Sequence, residues 1–159
     1  MDEDLGTGSI RADMGAQPTT PSFPRRDADG RVLRLPEFLA AALGYAVVNA
    51  IGLAIIDALI ALLGFTGFGR SPGWLVLILP GLLYFDELRG WRGHGIRFLV
   101  AIVAALVAVA IGLVVAGAAP DLPPIVSGGI GALVAVAVYA PIWFLGIRWL
   151  TGEHPTETT

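Results

Sequence analysis

No cysteine occurs in this 159-residue chain, which excludes disulfides, thiolate metal sites and thiol catalysis. Histidine is almost as scarce. His94 and His154 stand in separate polar segments without ligand-like spacing, which argues against a structural metal or a bis-histidine haem. Charged residues make up only 14%, none of the basic ones is lysine, and the net charge is −3. No basic run is long enough for a nucleic-acid partner. Gly128-Gly129-Ile130-Gly131 resembles a phosphate loop only superficially, because no lysine and serine or threonine end it and no strand precedes it. Ser127 has no histidine and acid that would converge on it. The expectation is a protein that is not an enzyme and carries no cofactor.

What the chain has is apolar length. It is 55% hydrophobic with a mean hydropathy of +0.75, more than a small soluble domain can hide in its core. Four stretches, at about 39–63, 73–88, 98–119 and 125–147, read as membrane spans. A helix needs about 20 apolar residues to cross ~30 Å of hydrocarbon, and three of the four meet that easily. The second is short, and Pro80-Gly81 interrupts it, which predicts a kinked or shallow crossing. None of the runs alternates polar with apolar as a membrane barrel would. The fold class is therefore an all-α integral membrane protein with four transmembrane helices over residues 36–150. Residues 1–35 are rich in Gly, Pro, Asp, Thr and Arg and read as a disordered polar segment, as does the tail at 151–159. No apolar core follows a basic start within the first thirty residues, so they do not read as a secretory signal.

Arginine placement orients the spans. Arg25, Arg26, Arg31, Arg34, Arg89, Arg92, Arg97 and Arg148 fall on one side if every span crosses, against Arg70 alone on the other. By the positive-inside rule both termini are cytoplasmic, in a cell membrane or a virion envelope. Were the second span re-entrant, Arg89, Arg92 and Arg97 would move outside and the bias would vanish. Aromatic residues gather near the proposed interfaces and read as anchors: Phe38, Tyr84, Phe85, Trp91, Phe98 and Trp149 on one side, Phe65, Phe68 and Trp74 on the other.

Small residues recur every four positions along the long spans. The first has Ala42, Ala46, Ala50, Ala54 and Ala58, and the third has Ala104, Ala108, Gly112 and Ala116. The fourth has Gly128, Ala132 and Ala140 beside Ser127, Gly131 and Ala135. Such strips let backbones approach where lipid removes the usual hydrophobic drive, although an alanine-rich composition also produces them by chance. They predict homo- or hetero-oligomers within the lipid bilayer. The short link at 120–124 predicts that the third and fourth spans are antiparallel neighbours.

Asp57 is the residue most in need of explanation. An ionised Asp at a helix centre costs about 2.5–3.5 kcal/mol to insert, and less toward the edge. Asn49 and Asp57 share one ridge about 12 Å long, which Tyr45 extends. The functional reading is a proton or cation site; the structural one is interhelical glue to a backbone carbonyl or to Ser127. The loop at 86–95 is the densest polar segment; Arg89 and Arg92 lie in it and Arg97 just past it. They are candidates for anionic headgroups at ~1 kcal/mol each, or an ordinary positive-inside loop. The leading expectation is a structural or assembly subunit of a membrane complex or viral envelope. The alternatives are a small oligomeric transporter or ion pathway using Asp57, and a holin-like pore.

Overall fold

A computed structural model describes residues 23–91 and 95–152. Among these residues the chain is all-helical, with no strand beyond one isolated bridge. Four α-helices follow in order: α1 (Leu35–Leu62), α2 (Ile78–Gly90), α3 (Ile96–Gly117) and α4 (Pro124–Thr151), with a 3₁₀ turn at Gly73–Leu77 leading into α2. Helices α1, α3 and α4 are long and apolar enough to cross a membrane. At 1.5 Å per residue they run roughly 42, 33 and 42 Å, against ~30 Å of hydrocarbon. Helix α2 has 13 residues and does not reach that length alone.

Local chemistry sets the boundaries. Pro36 lies in the first turn of α1 and Pro124 opens α4, where the missing amide hydrogen costs nothing. Past α1 the chain turns through Gly64 at φ +81°, and α4 ends on Gly152 at φ +71°, left-handed positions that favour glycine. Pro80 lies where the second apolar segment changes from a 3₁₀ turn to an α-helix. The helix type changes at Ile78, so Pro80 sits in the first turn of α2 among donors that have no intrahelical acceptor.

Helix α4 is central: 44% of its most apolar stretch is buried, against 22% in α1 and in α3. It packs antiparallel to α3 as the short link predicts, and against α1 and the 3₁₀ turn on its other flanks. The small-residue strips of α3 and α4 are contact faces. Ala104, Ala108, Gly112, Gly128, Gly131, Ala132, Ala135 and Ala140 are all buried. A Cβ added at Gly112 would lie 2.6 Å from the Gly131 carbonyl oxygen, and one at Gly131 would lie 2.6 Å from that of Gly112. At Gly73 a Cβ would come within 2.2 Å of the Gly129 nitrogen. Backbone therefore lies on backbone here, and only glycine fits.

The strip of α1 behaves differently. Ala42 and Ala46 are buried, Ala50 and Ala54 are half-buried, and Ala58 is exposed. A ridge of every fourth residue drifts ~40° per step on a helix with 3.6 residues per turn, so 42 to 58 turns through about 160°. The buried line therefore moves to Leu53 and Asp57, while Ile55 remains exposed.

Two expectations about the ends change. Phe38 and Trp91 are fully buried rather than interfacial, and Phe38 joins Tyr84, Tyr139, Trp143 and Phe144 in an aromatic core. Phe65, Phe68, Phe85, Phe98 and Trp149 stay exposed as anchors would. Residues 25–33 form a small hairpin, where composition reads the whole of 1–35 as disordered. Arg26 bridges Val32, the Asp27 carboxylate accepts from the Asp29 and Arg31 amides, and Gly30 takes φ +82°. Residues 1–22 and 153–159, including His154, lie outside the described residues, as do Arg92 and His94.

Candidate functional site

Two carboxylates, Asp57 and Glu87, are fully buried, one toward each end of the bundle. Asp57 is in the last turns of α1, on the face turned to the returning chain. Its carboxylate accepts hydrogen bonds from the Gly69 amide and from the Ser71 amide, the latter at 3.0 Å. Gly69 adopts φ +87°, and its carbonyl accepts from the Ile125 amide at 3.2 Å, which ties the same loop to the start of α4. Asp57 thus organises the connection that feeds the 3₁₀ turn into the bundle.

Asn49 serves the same segment two turns away. Its Nδ2 donates to the Leu75 carbonyl at 2.7 Å, inside the 3₁₀ turn where α-helical pairing is lost. The ridge that links Asn49, Leu53 and Asp57 therefore faces residues 69–77, as one polar seam. Tyr45 is not part of that seam: it is 44% exposed and turns toward a groove between α1 and α2. Ser127 does not reach Asp57 either, because its hydroxyl donates to the Pro123 carbonyl of its own helix at 3.4 Å.

Glu87 holds the opposite end. Its two oxygens accept from the Val32 amide at 3.2 and 3.1 Å, and Oε1 also accepts from Trp91 Nε1 at 3.3 Å. Arg26 Nη1 lies 3.4 Å from Oε2 and also donates to the Gly30 carbonyl. Around this carboxylate the hairpin is laced to two helices. Arg31 Nε donates to the Gly90 carbonyl at 3.2 Å, and its guanidinium lies 4.4 Å from the centre of the Trp91 ring. Arg148 of α4 donates to the Val32 carbonyl while it stacks 3.6 Å from the Phe144 ring centre. Nothing in the local sequence singles Glu87 out as strongly as the apolar run singles out Asp57. Signals for Glu87 were present: the four-residue spacing to Trp91 on one helix face, and a turn at Asp27-Ala28-Asp29-Gly30 with Asp first and Gly last.

Of the arginines proposed for anionic headgroups, Arg89 is exposed with its guanidinium 4.5 Å from the Phe85 ring centre. Arg97 donates to the Leu88 carbonyl at 3.3 Å and covers Phe98 at 4.6 Å. Each guanidinium rests on an exposed phenylalanine ring near the arginine-bearing end of the bundle. Among the described residues no three His, Asp or Glu side chains are grouped to hold a metal ion. No known protein family, curated protein or solved structure matches this chain.

Proposed function

We propose that the chain is a four-pass, non-enzymatic membrane protein that works by helix packing, as a structural or assembly subunit of a membrane complex or envelope. The observation that carries this reading is how both buried carboxylates are used. Asp57 and Glu87 each accept from backbone amides of a neighbouring segment, and Glu87 also from Trp91 and Arg26. A proton or cation site needs access, whereas both carboxylates are fully buried and act as clamps. Meanwhile α1 and α3 keep rows of large apolar side chains exposed, such as Ile51, Ile55, Leu99, Ile102, Leu106 and Leu113. Lipid or a partner helix would cover those rows.

The path of the second segment supports a crossing: it leaves Ser71 beside Asp57, late in α1, and runs back along α1 to Glu87 beside Val32, just ahead of that helix. Its apolar part, the 3₁₀ turn and residues 78–85, adds up to about 22 Å, a length a locally thinned bilayer accommodates. A full crossing also keeps the Arg-rich loop on the side of the hairpin, with both termini cytoplasmic by the positive-inside rule.

Proton flux separates this reading from an ion pathway through Asp57. In vesicles carrying a pH-sensitive dye, neither the wild type nor Asp57→Asn should conduct. A wild-type flux that Asp57→Asn abolishes would overturn the structural assignment.

A further inference from the structure

We infer that the groove between α1, α2 and the hairpin seats one phospholipid with a primary-ammonium headgroup, an inference that rests on the membrane reading above. The groove encloses about 500 Å³. Its apolar stretch is lined by Val48 of α1 and Leu79 and Leu82 of α2, with Tyr45 alongside, and its other end carries Arg26 and Asp86. Asp86 comes seven positions after Leu79, so the polar end lies about 10 Å along the axis from the start of the apolar lining. That gradient runs in the direction a lipid presents: headgroup toward the arginine-bearing end, acyl chain toward the middle. Val48 and Leu82 are 60% and 58% exposed, so the groove opens sideways, where a lipid can enter from the bilayer.

Charge at the mouth selects the headgroup. Asp86 is exposed and forms no ion pair among the described residues, while the neighbouring Glu87 is buried and engaged. Arg26 brings the one cation of the groove wall, and its side chain remains 27% exposed. Arg26 Nη1 is held by the Gly30 carbonyl and Glu87, and its remaining N–H groups with the Asp86 carboxylate, both on the wall of one groove, match a phosphate and an ammonium on one headgroup. An anionic lipid would meet Asp86 with like charge. A choline headgroup offers that carboxylate no N–H donor.

The test is native mass spectrometry of the full chain, purified in mild detergent and offered phosphatidylethanolamine, phosphatidylglycerol and phosphatidylcholine in turn. Phosphatidylethanolamine should be retained one per chain, roughly tenfold better than either competitor, the worth of one charge-assisted hydrogen bond. Asp86→Asn should erase that preference, and because Asp86 is exposed and unpaired the variant should fold normally. Leu82→Trp should fill the groove and remove the adduct. Equal retention of the three lipids, no adduct, or an adduct that survives Leu82→Trp would each overturn the inference. Alkaline carbonate extraction of wild-type membranes tests the underlying reading separately. Release of the chain there sinks the membrane assignment, whereas an inserted chain without the adduct sinks only the lipid seat.

Discussion

The two ends of this bundle solve one problem, anchoring a non-helical segment to apolar helices, with different materials. At the glycine end the chain from Gly69 to Leu77 is wedged between α1 and α4, and the contact is backbone against backbone at Gly73 and Gly129. Asp57 and Asn49 of α1 add side-chain bonds to that segment, and Ser71 answers Asp57 with its own hydroxyl. At the arginine end the hairpin puts one side chain, Val32, into the core. The rest of it is held by long side chains that reach across: Glu87 from α2 and Arg148 from α4, with Arg31 reaching back. Glycine contacts tolerate no added volume, so the first end should be rigid and unforgiving. Arginine contacts span gaps and can be re-formed, so the second end should open locally while the helices stay together.

The largest expected effect is therefore at Gly73. Gly73→Val places atoms where the Gly129 nitrogen already lies, and neither backbone can yield without moving a helix. Overpacking typically costs 1–3 kcal/mol, and a clash with fixed backbone should reach about 3 kcal/mol or more. Thermal unfolding in detergent would show it, together with loss of folded material on size exclusion. A variant as stable as the wild type would mean that the 3₁₀ turn does not sit against α4.

Glu87→Leu comes next. It leaves the Val32 amide, Trp91 Nε1 and Arg26 without their buried acceptor, at about 2–3 kcal/mol, the worth of a lost hydrogen bond to a charged group with partners stranded. Because the hairpin hangs from this group, trypsin cleavage after Arg26 and Arg31 should accelerate well before the helices unfold. Cleavage unchanged from wild type would place the hairpin's anchorage elsewhere.

At the glycine end Asp57→Asn keeps one acceptor oxygen and loses the second of two amide bonds. Stability should fall by about 1–2 kcal/mol, with the bundle intact. A loss as large as that of Glu87→Leu would contradict the view that glycine packing carries this end.

The periodic features were legible in the sequence and the exchange between distant segments was not. Length and composition show α1, α3 and α4, and the five-residue link shows that α3 and α4 are neighbours. Asp57 could be flagged because a carboxylate inside an apolar run is costly whatever it touches. Its partners could not be found, because two are amides of Gly69 and Ser71, which every residue except proline carries, and the third is the hydroxyl of Ser71 on an unpatterned loop. Glu87 was hidden for the opposite reason: among Asp86, Arg89 and Arg92 an acid looks ordinary, and only the folded hairpin buries it. The α1 strip misled through arithmetic, since a four-residue repeat and a 3.6-residue turn part company within four steps. The measurable consequence is that Leu53→Ala should cost about 2 kcal/mol, near the lower bound for a core leucine, while Ile55→Ala on the exposed face should cost much less.

The smallest effect isolates the hairpin from everything it touches. Gly30 holds φ +82°, and a Cβ added there would meet nothing within 4 Å, so substitution tests backbone conformation without steric contact. A branched side chain in the left-handed region costs about 1–2 kcal/mol. Gly30→Val should therefore loosen the turn that presents the Val32 amide to Glu87, and leave the helices untouched. Trypsin should cut after Arg31 several-fold faster, while thermal unfolding of the bundle shifts by less than in any variant above. If the bundle's unfolding fell in step with the cleavage rate, the hairpin would be part of the cooperative core, and the contrast between a rigid glycine end and a separable arginine end would fail. Gly30→Asn is the control, because asparagine tolerates this region and should restore most of the protection.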